Sequence, residues 1–141
     1  MHRFVAAVVV CLLFAACSRT PPEDALRATI DTMHAAVEAR EMGPLSEGIA
    51  QDFIGPGGMD RTAARRLAQV VFLRNRDIGM TMGPLDIAMR EGGATVRFTV
   101  AMTGGSGGLL PTSGQVYDVR TDWRQDGEAW ELVAAEWNEK L

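Results

Sequence analysis

His34 is the residue best placed to do chemistry in this chain. Asp31 lies three residues before it and Glu38 four residues after it, spacings that bring side chains together on one face of a helix. A histidine with a carboxylate beside it can take up and return a proton near neutral pH, while the carboxylate fixes the ring and stabilises the imidazolium. The same spacing also describes a plain rim histidine paired with Glu38, and the sequence shows no second partner for it. The chain's other histidine is His2, so neither a metal site nor any other cofactor is expected.

Two further patterns invite chemistry. Gly104-Gly105-Ser106-Gly107-Gly108 has the glycine content of a phosphate cradle. It neither follows a nucleotide-binding strand nor opens a capped helix, so it reads as a strand connection. Arg61, Arg65, Arg66, Arg74 and Arg76 form a basic run, with Arg61 and Arg65 one helical turn apart, and it reads as a solvated helix face rather than an anion site. Met80, Met82, Met89 and Met102 read as a soft interior, which would also suit an adaptable apolar pocket.

The start of the chain bears on location. Met1-His2-Arg3 runs into the apolar stretch Phe4 to Ala16 and stops at Leu13-Phe14-Ala15-Ala16-Cys17. A bilayer span takes about 20 apolar residues, and this stretch falls short. The segment resembles a bacterial lipoprotein signal. That resemblance implies cleavage before Cys17, multiple acylation of that cysteine with palmitate-type chains, and a mature chain held permanently on a membrane. A plain secretory signal or an uncleaved anchor are the alternatives; bulky Phe14, third before the cut, disfavours the first of these. Ser18 stands where an Asp would imply inner-membrane retention, so the resemblance implies a cell-envelope lipoprotein on the periplasmic side of the outer membrane. The expected division is a leader over residues 1–16, a lipidated tether over 17–22 and one domain over 23–141.

Cys11 would leave with the leader and Cys17 would be capped by lipid, which strips the domain of thiols for a disulfide, a metal or a nucleophile. The chain has 14 basic and 18 acidic residues; loss of Arg3 leaves 13 basic ones and a side-chain charge of −5. That balance argues against nucleic acid as a partner and against extra electrostatic attraction to an anionic membrane. About 120 residues remain, enough for one domain with an ordinary core.

The elements that would position His34 follow from local signals. Thr20-Pro21-Pro22-Glu23 has the form of a capping box, and Leu26, Ile30, Met33 and Val37 continue an apolar stripe to about Arg40. Gly43-Pro44 interrupts, and Leu45, Ile49 and Phe53 predict a second, shorter helix ending before Gly55. Asp60 caps a third, with Ala63, Leu67, Val70 and Val71 as its apolar side. Beyond Asp77 the period becomes alternating. A first strand is expected around Ile78 to Met82, strands through Leu85–Met89 and Val96–Met102 flank a Gly92-Gly93 turn, and a flexible segment spans Gly104 to Gly114. A last hairpin turns at Asp126-Gly127, a register that makes Trp123 and Trp130 a cross-strand pair. The fold class is α+β: three N-terminal helices packed on a curved antiparallel sheet of about four strands.

This order of elements, the helix from Glu23 to Arg40 leading into Met42-Gly43-Pro44-Leu45 and Gln51-Asp52-Phe53, and the ending from Tyr117 to Trp137 around Gly127 and Trp130 resemble the nuclear transport factor 2-like (cystatin-like) superfamily, in particular its SnoaL-like members. The resemblance implies a cone, with the bent sheet wrapping the first helix, a pocket at the open end, and dimerisation through the outer face of the sheet. Ketosteroid isomerase-like members need a tyrosine where this chain has Met33, and a carboxylate base within a stretch that reads Phe53-Ile54-Gly55-Pro56-Gly57-Gly58 here. Their reaction is not expected. Dehydratase-like members use a His–Asp pair, which points back to His34. Met33, His34, Phe98 and Tyr117 are the candidate pocket residues. Tyr117 also reads as a packing residue.

The leading reading is a non-catalytic, envelope-anchored binding domain, taking a small apolar ligand in the cone or a protein partner on the sheet face. An isomerase-like or dehydratase-like enzyme built on His34 is the first alternative. An accessory lipoprotein of a secretion or cell-wall assembly is the second, and it would show a closed core with an exposed apolar sheet face.

Overall fold

The computed structural model describes residues 19–105 and 113–140. The leader, Cys17 and most of the glycine-rich connection lie outside the described residues. Helix α1 runs Pro22–Ala39, α2 Met42–Glu47 and α3 Arg61–Arg74; the strands are β1 Ile49–Ile54, β2 Asp77–Met82, β3 Asp86–Arg90, β4 Gly93–Gly105, β5 Ser113–Asp126 and β6 Ala129–Glu139. Among the described residues no helix is long and apolar enough to cross a membrane.

The strands make one six-stranded sheet in the order β1-β6-β5-β4-β2, with β3 also paired to β4. This corrects the expected four strands, and β1 makes the sheet mixed, because it lies parallel to β6 while the other pairs are antiparallel. The additional strand comes from the stretch predicted as a second helix. Leu45, Ile49 and Phe53 have helical spacing, but the helix stops at Glu47, and the Gly48 carbonyl accepts from the Leu132 N–H of β6 (2.8 Å). Only glycine fits there without a shift, since a Cβ at Gly48 would sit 2.4 Å from the sulfur of Met33.

Helix α1 starts on Pro22 with Pro21 as N-cap and no side-chain cap bond, so the expected Thr20 capping box does not form. Glu23 pairs instead with Arg27 (3.3 Å). The third helix is capped as expected, Asp60 accepting from the Ala63 N–H at 2.8 Å. Its packed side matches the predicted one only at Val71. Phe72 is buried, with Ala68 and Val71 packed beside it, whereas Leu67 and Val70 are exposed. The basic run explains the choice of face: Arg61 donates to the carbonyls of Ile49 (3.0 Å) and Ser46 (2.8 Å), and Arg65 donates to the Ser46 hydroxyl (3.1 Å). These two arginines are docking groups for α3 and not a solvated face.

The last hairpin closes around Gly127 and Glu128 at Asp126↔Ala129, two positions from the predicted register, and Val133 then forms a bulge between Trp123↔Leu132 and Asp122↔Ala134. Trp123 and Trp130 are therefore diagonal neighbours rather than a facing pair. Both are buried with Leu26, Ile30, Ala94 and Val96, where α1 lies against the inside of the bend. Their indole N–H groups are satisfied: Trp123 donates to the Thr121 hydroxyl (2.8 Å) and Trp130 to the Pro22 carbonyl (3.1 Å). A second cluster of Ala36, Leu45, Phe72 and Ile78 joins α1, α2, α3 and β2, and Met33 packs against both. Met82 and Met102 pack on these clusters as expected, while Met89 is exposed at the end of β3.

One exposed clasp ties the edge strand on. Arg124 of β5 reaches across β6 to Asp52 of β1 in a two-pronged bond (2.9 and 3.0 Å) and also donates to Glu131 (3.0 Å). The Arg124 bond holds the Asp52 carboxyl below its ordinary value of 3.8. A depressed carboxyl contributes stability above its unfolded-state value and loses it as pH falls through the folded-state value. Asp52→Asn is therefore expected to lower the neutral plateau by a small amount, since exposed pairs contribute little, and to converge with the parent as pH falls below about 4, which makes its acid limb shallower; urea midpoints taken across that range read this directly. At Gly48, substitution by Ala forces Met33 out of its seat and is expected to cost about 1–3 kcal/mol. Combining Gly48→Ala with Met33→Ala should cost less than the two single changes together, as a denaturation double-mutant cycle will show.

Candidate functional site

The apolar stripe of α1, Leu26, Ile30 and Ala36, is drawn into the sheet, and this turns His34 toward the seam between α1 and β2. A groove of about 440 Å3 opens there, lined by Asp31 and His34 from the helix, by Met80, Thr81 and Met82 from β2, and by Gly83 and Leu85 beyond it. Its walls are thioether and leucine, and its polar groups are one carboxylate, one imidazole and one hydroxyl. That composition suits an amphiphilic small molecule with a polar end.

His34 Nε2 lies 2.6 Å from Glu38 Oε1 and 2.7 Å from the Met80 carbonyl oxygen. Both neighbours are acceptors, so Nε2 carries the proton and donates to them. Nδ1 has no hydrogen-bond partner among the described residues. The i,i+4 pair with Glu38 was legible from spacing. The Met80 carbonyl was not, because a backbone acceptor 46 residues away has no signature in side-chain types.

The four candidate pocket residues are not brought into one cavity. Only His34 lines this groove. Met33, one residue earlier, points into the core between the two clusters. Phe98 packs on the first cluster from β4, and Tyr117 sits half-buried on β5, opposite Val100 and Glu139. Among the described residues no group of three or more His, Cys, Asp or Glu side chains is placed to hold a metal ion.

A second groove of about 450 Å3 lies along the other side of the sheet, bordered by Pro84, Phe98, Arg97, Thr99, Asp118 and Arg120 together with Glu136 and Asn138. The register sets Arg97 opposite Arg120, and Arg120 opposite Glu136. Asp118 accepts from the Thr99 hydroxyl (3.0 Å) and lies 3.8 Å from Lys140. This face is a mixed ionic lattice. Val116 of β5 is exposed beside it, and among the described residues the other exposed large apolar side chains are Ile54 on β1, Met89 on β3 and Leu67, Val70 and Leu73 on α3.

No family model and no curated protein matches the chain. Solved structures do. The Bdellovibrio bacteriovorus protein Bd1075 superposes with a TM-score of 0.74 at 11% identity over 84% of this chain and 41% of its own, so the chain spans less than half of that protein. A candidate scytalone dehydratase from Novosphingobium aromaticivorans gives 0.71 at 12% identity, covering 84% of both chains. A candidate dehydratase of the NTF2-like family from Streptomyces avermitilis gives 0.71 at 17% identity over 86% of this chain and 99% of that one. With three helices on a curved six-stranded sheet and these structural neighbours, the chain has the fold of the nuclear transport factor 2-like superfamily.

Proposed function

We propose that the chain is an envelope lipoprotein, tethered through acylated Cys17, whose domain binds a small amphiphilic ligand in the groove between α1 and β2 without transforming it. The observation that carries the binding role is the placement of His34: its Nε2–H is already shared between Glu38 and the Met80 carbonyl, in a groove open to water. A general base gains most where water is excluded, and the inside of the bend, where such a site would lie, is occupied by Leu26, Val96, Trp123 and Trp130. The mature residues offer no thiol, and neither a carboxylate base nor a tyrosine stands where isomerase-like members need them.

A second reading keeps a specific observation in its favour. His34 and Glu38 are within hydrogen-bond reach, Nδ1 is free, and Asp31 lines the same groove, which is the minimum set for proton transfer on a hydroxylated substrate. Two of the structural neighbours carry dehydratase names, but a shared fold does not transfer an activity.

The two readings part at two side chains. Thr81 is exposed and lines the groove, so Thr81→Trp blocks it without touching the core. With the neutral probe N-phenyl-1-naphthylamine, fluorescence titration should give saturable binding to the parent chain and at least a tenfold loss in Thr81→Trp, equivalent to about 1.4 kcal/mol. His34→Gln keeps a donor for Glu38 and Met80 but removes the ring from the groove wall, and is expected to weaken probe binding severalfold while the fold holds. Absence of saturable binding, or a Thr81→Trp titration matching the parent, refutes the groove. Mass spectrometry of the exported chain should find it beginning at Cys17 with a diacylglyceryl adduct; a free thiol or a retained leader refutes the anchor.

A further inference from the structure

Leu67, Val70 and Leu73 are 43%, 41% and 86% exposed and recur every three residues, so they share the outward side of α3. Arg66 and Arg74 flank them and Arg76 follows, all exposed. These three arginines make no ion pair or side-chain hydrogen bond among the described residues, in contrast to Arg61 and Arg65, which are consumed in docking the helix. Residues 61–76 contain five arginines and no acidic residue, in a chain whose overall charge is −4. A helix side with leucines along its crest and free guanidinium groups on its shoulders has the composition of an interfacial helix: the apolar crest enters the headgroup boundary and the guanidinium groups meet phosphates.

We infer that the outward face of α3 rests on an anionic bilayer surface, and that the domain lies along the membrane instead of standing up from it. This rests on the lipid-anchored reading of Cys17. From Cys17 to Pro22 the tether reaches roughly 17 Å, which keeps the domain at the surface and makes even a weak interfacial contact effective. The orientation follows from α1. Its first turn is held by the Trp130 bond to Pro22 at the tether end. At its other end Arg40 donates to the carbonyls of Phe72 (3.2 Å) and Asn75 (3.3 Å), at the end of α3. Eighteen helical residues span about 27 Å. An upright domain would hold Leu73 that far above the tether, whereas a domain with α1 parallel to the surface can bring tether and α3 to the bilayer together.

The full chain, expressed with its leader so that it is processed in the envelope, provides the test. Leu73→Cys labelled with a polarity-sensitive maleimide dye is reconstituted into vesicles of phosphatidylethanolamine and phosphatidylglycerol. The label is expected to shift to the blue and to be quenched by brominated lipid, with both effects reduced when Arg66→Gln and Arg74→Gln are added or when the vesicles are pure phosphatidylcholine. A Glu91→Cys label, on the turn between β3 and β4, is the control and should remain water-like. Vesicles that carry the chain on flotation while the Leu73 label stays water-like overturn the docking and leave the anchor standing. A chain that does not float with the vesicles at all overturns both. A label already shielded without lipid, or self-quenched by a second copy, assigns the face to protein and overturns the membrane contact.

Discussion

The packing of two tryptophans and α1 into the inside of the bent sheet is the constraint from which the remaining geometry follows. Each buried tryptophan removes about 150–250 Å2 from water, an upper-bound stabilisation of about 4–6 kcal/mol at roughly 25 cal/mol per Å2. Each also brings an N–H that must be satisfied. Trp130 meets that need with the Pro22 carbonyl (3.1 Å) and thereby fixes where α1 begins on β6; Trp123 meets it through Thr121, whose own hydroxyl donates to the Val96 carbonyl (3.2 Å). With α1 held there, Leu26 and Val96 are sealed completely. A filled interior moves any ligand site outward, to the seam where α1 and β2 part.

The periphery is held differently, by guanidinium groups on backbone carbonyls and, for Arg124, on the carboxylates of Asp52 and Glu131. Arg40 covers the end of α3, Arg61 holds α3 to the turn between α2 and β1, and Arg124 clasps β1 across β6. A planar fork with several donors can satisfy two acceptors at once where a lysine could not do so with fixed geometry. These bonds fasten short or irregular elements: α2 has six residues and β1 pairs irregularly with β6. Arginines that serve the fold and arginines that do not are thus separable by their partners, although all belong to one run in the sequence.

Features set by neighbouring residues could be read in advance. The Asp60 cap, the α1 stripe, the strands on either side of Gly92 and the His34–Glu38 pair all depend on spacings of four residues or fewer. Features set by distant partners could not. The β1 stretch has helical spacing, and only its parallel alignment beside Leu132 makes it a strand. The outward side of α3 and its packed side both carry apolar residues, and the choice was made by Ser46 and Ile49 accepting from Arg61 and Arg65. The hairpin register slipped because Gly127 serves the turn from a position one residue earlier than expected and Val133 bulges out of the ladder. Each miss came where two local patterns were equally good and a long-range contact decided between them.

His34 shows how the same geometry limits chemistry. A base in a dyad needs one nitrogen tied to the carboxylate and the other beside the substrate. Here the tied nitrogen also serves the Met80 carbonyl, so the ring is fastened to β2 as well as to its own helix. Breaking that link frees a strand carbonyl at the rim of the sheet, which gives His34 a structural duty that substitution would expose. A ring clamped from two elements is well held as a recognition surface, with Nδ1 left free of protein partners among the described residues. Proton transfer would need water excluded from a groove whose described walls are one face of α1, the strand β2 and the Gly83 to Leu85 segment beyond it.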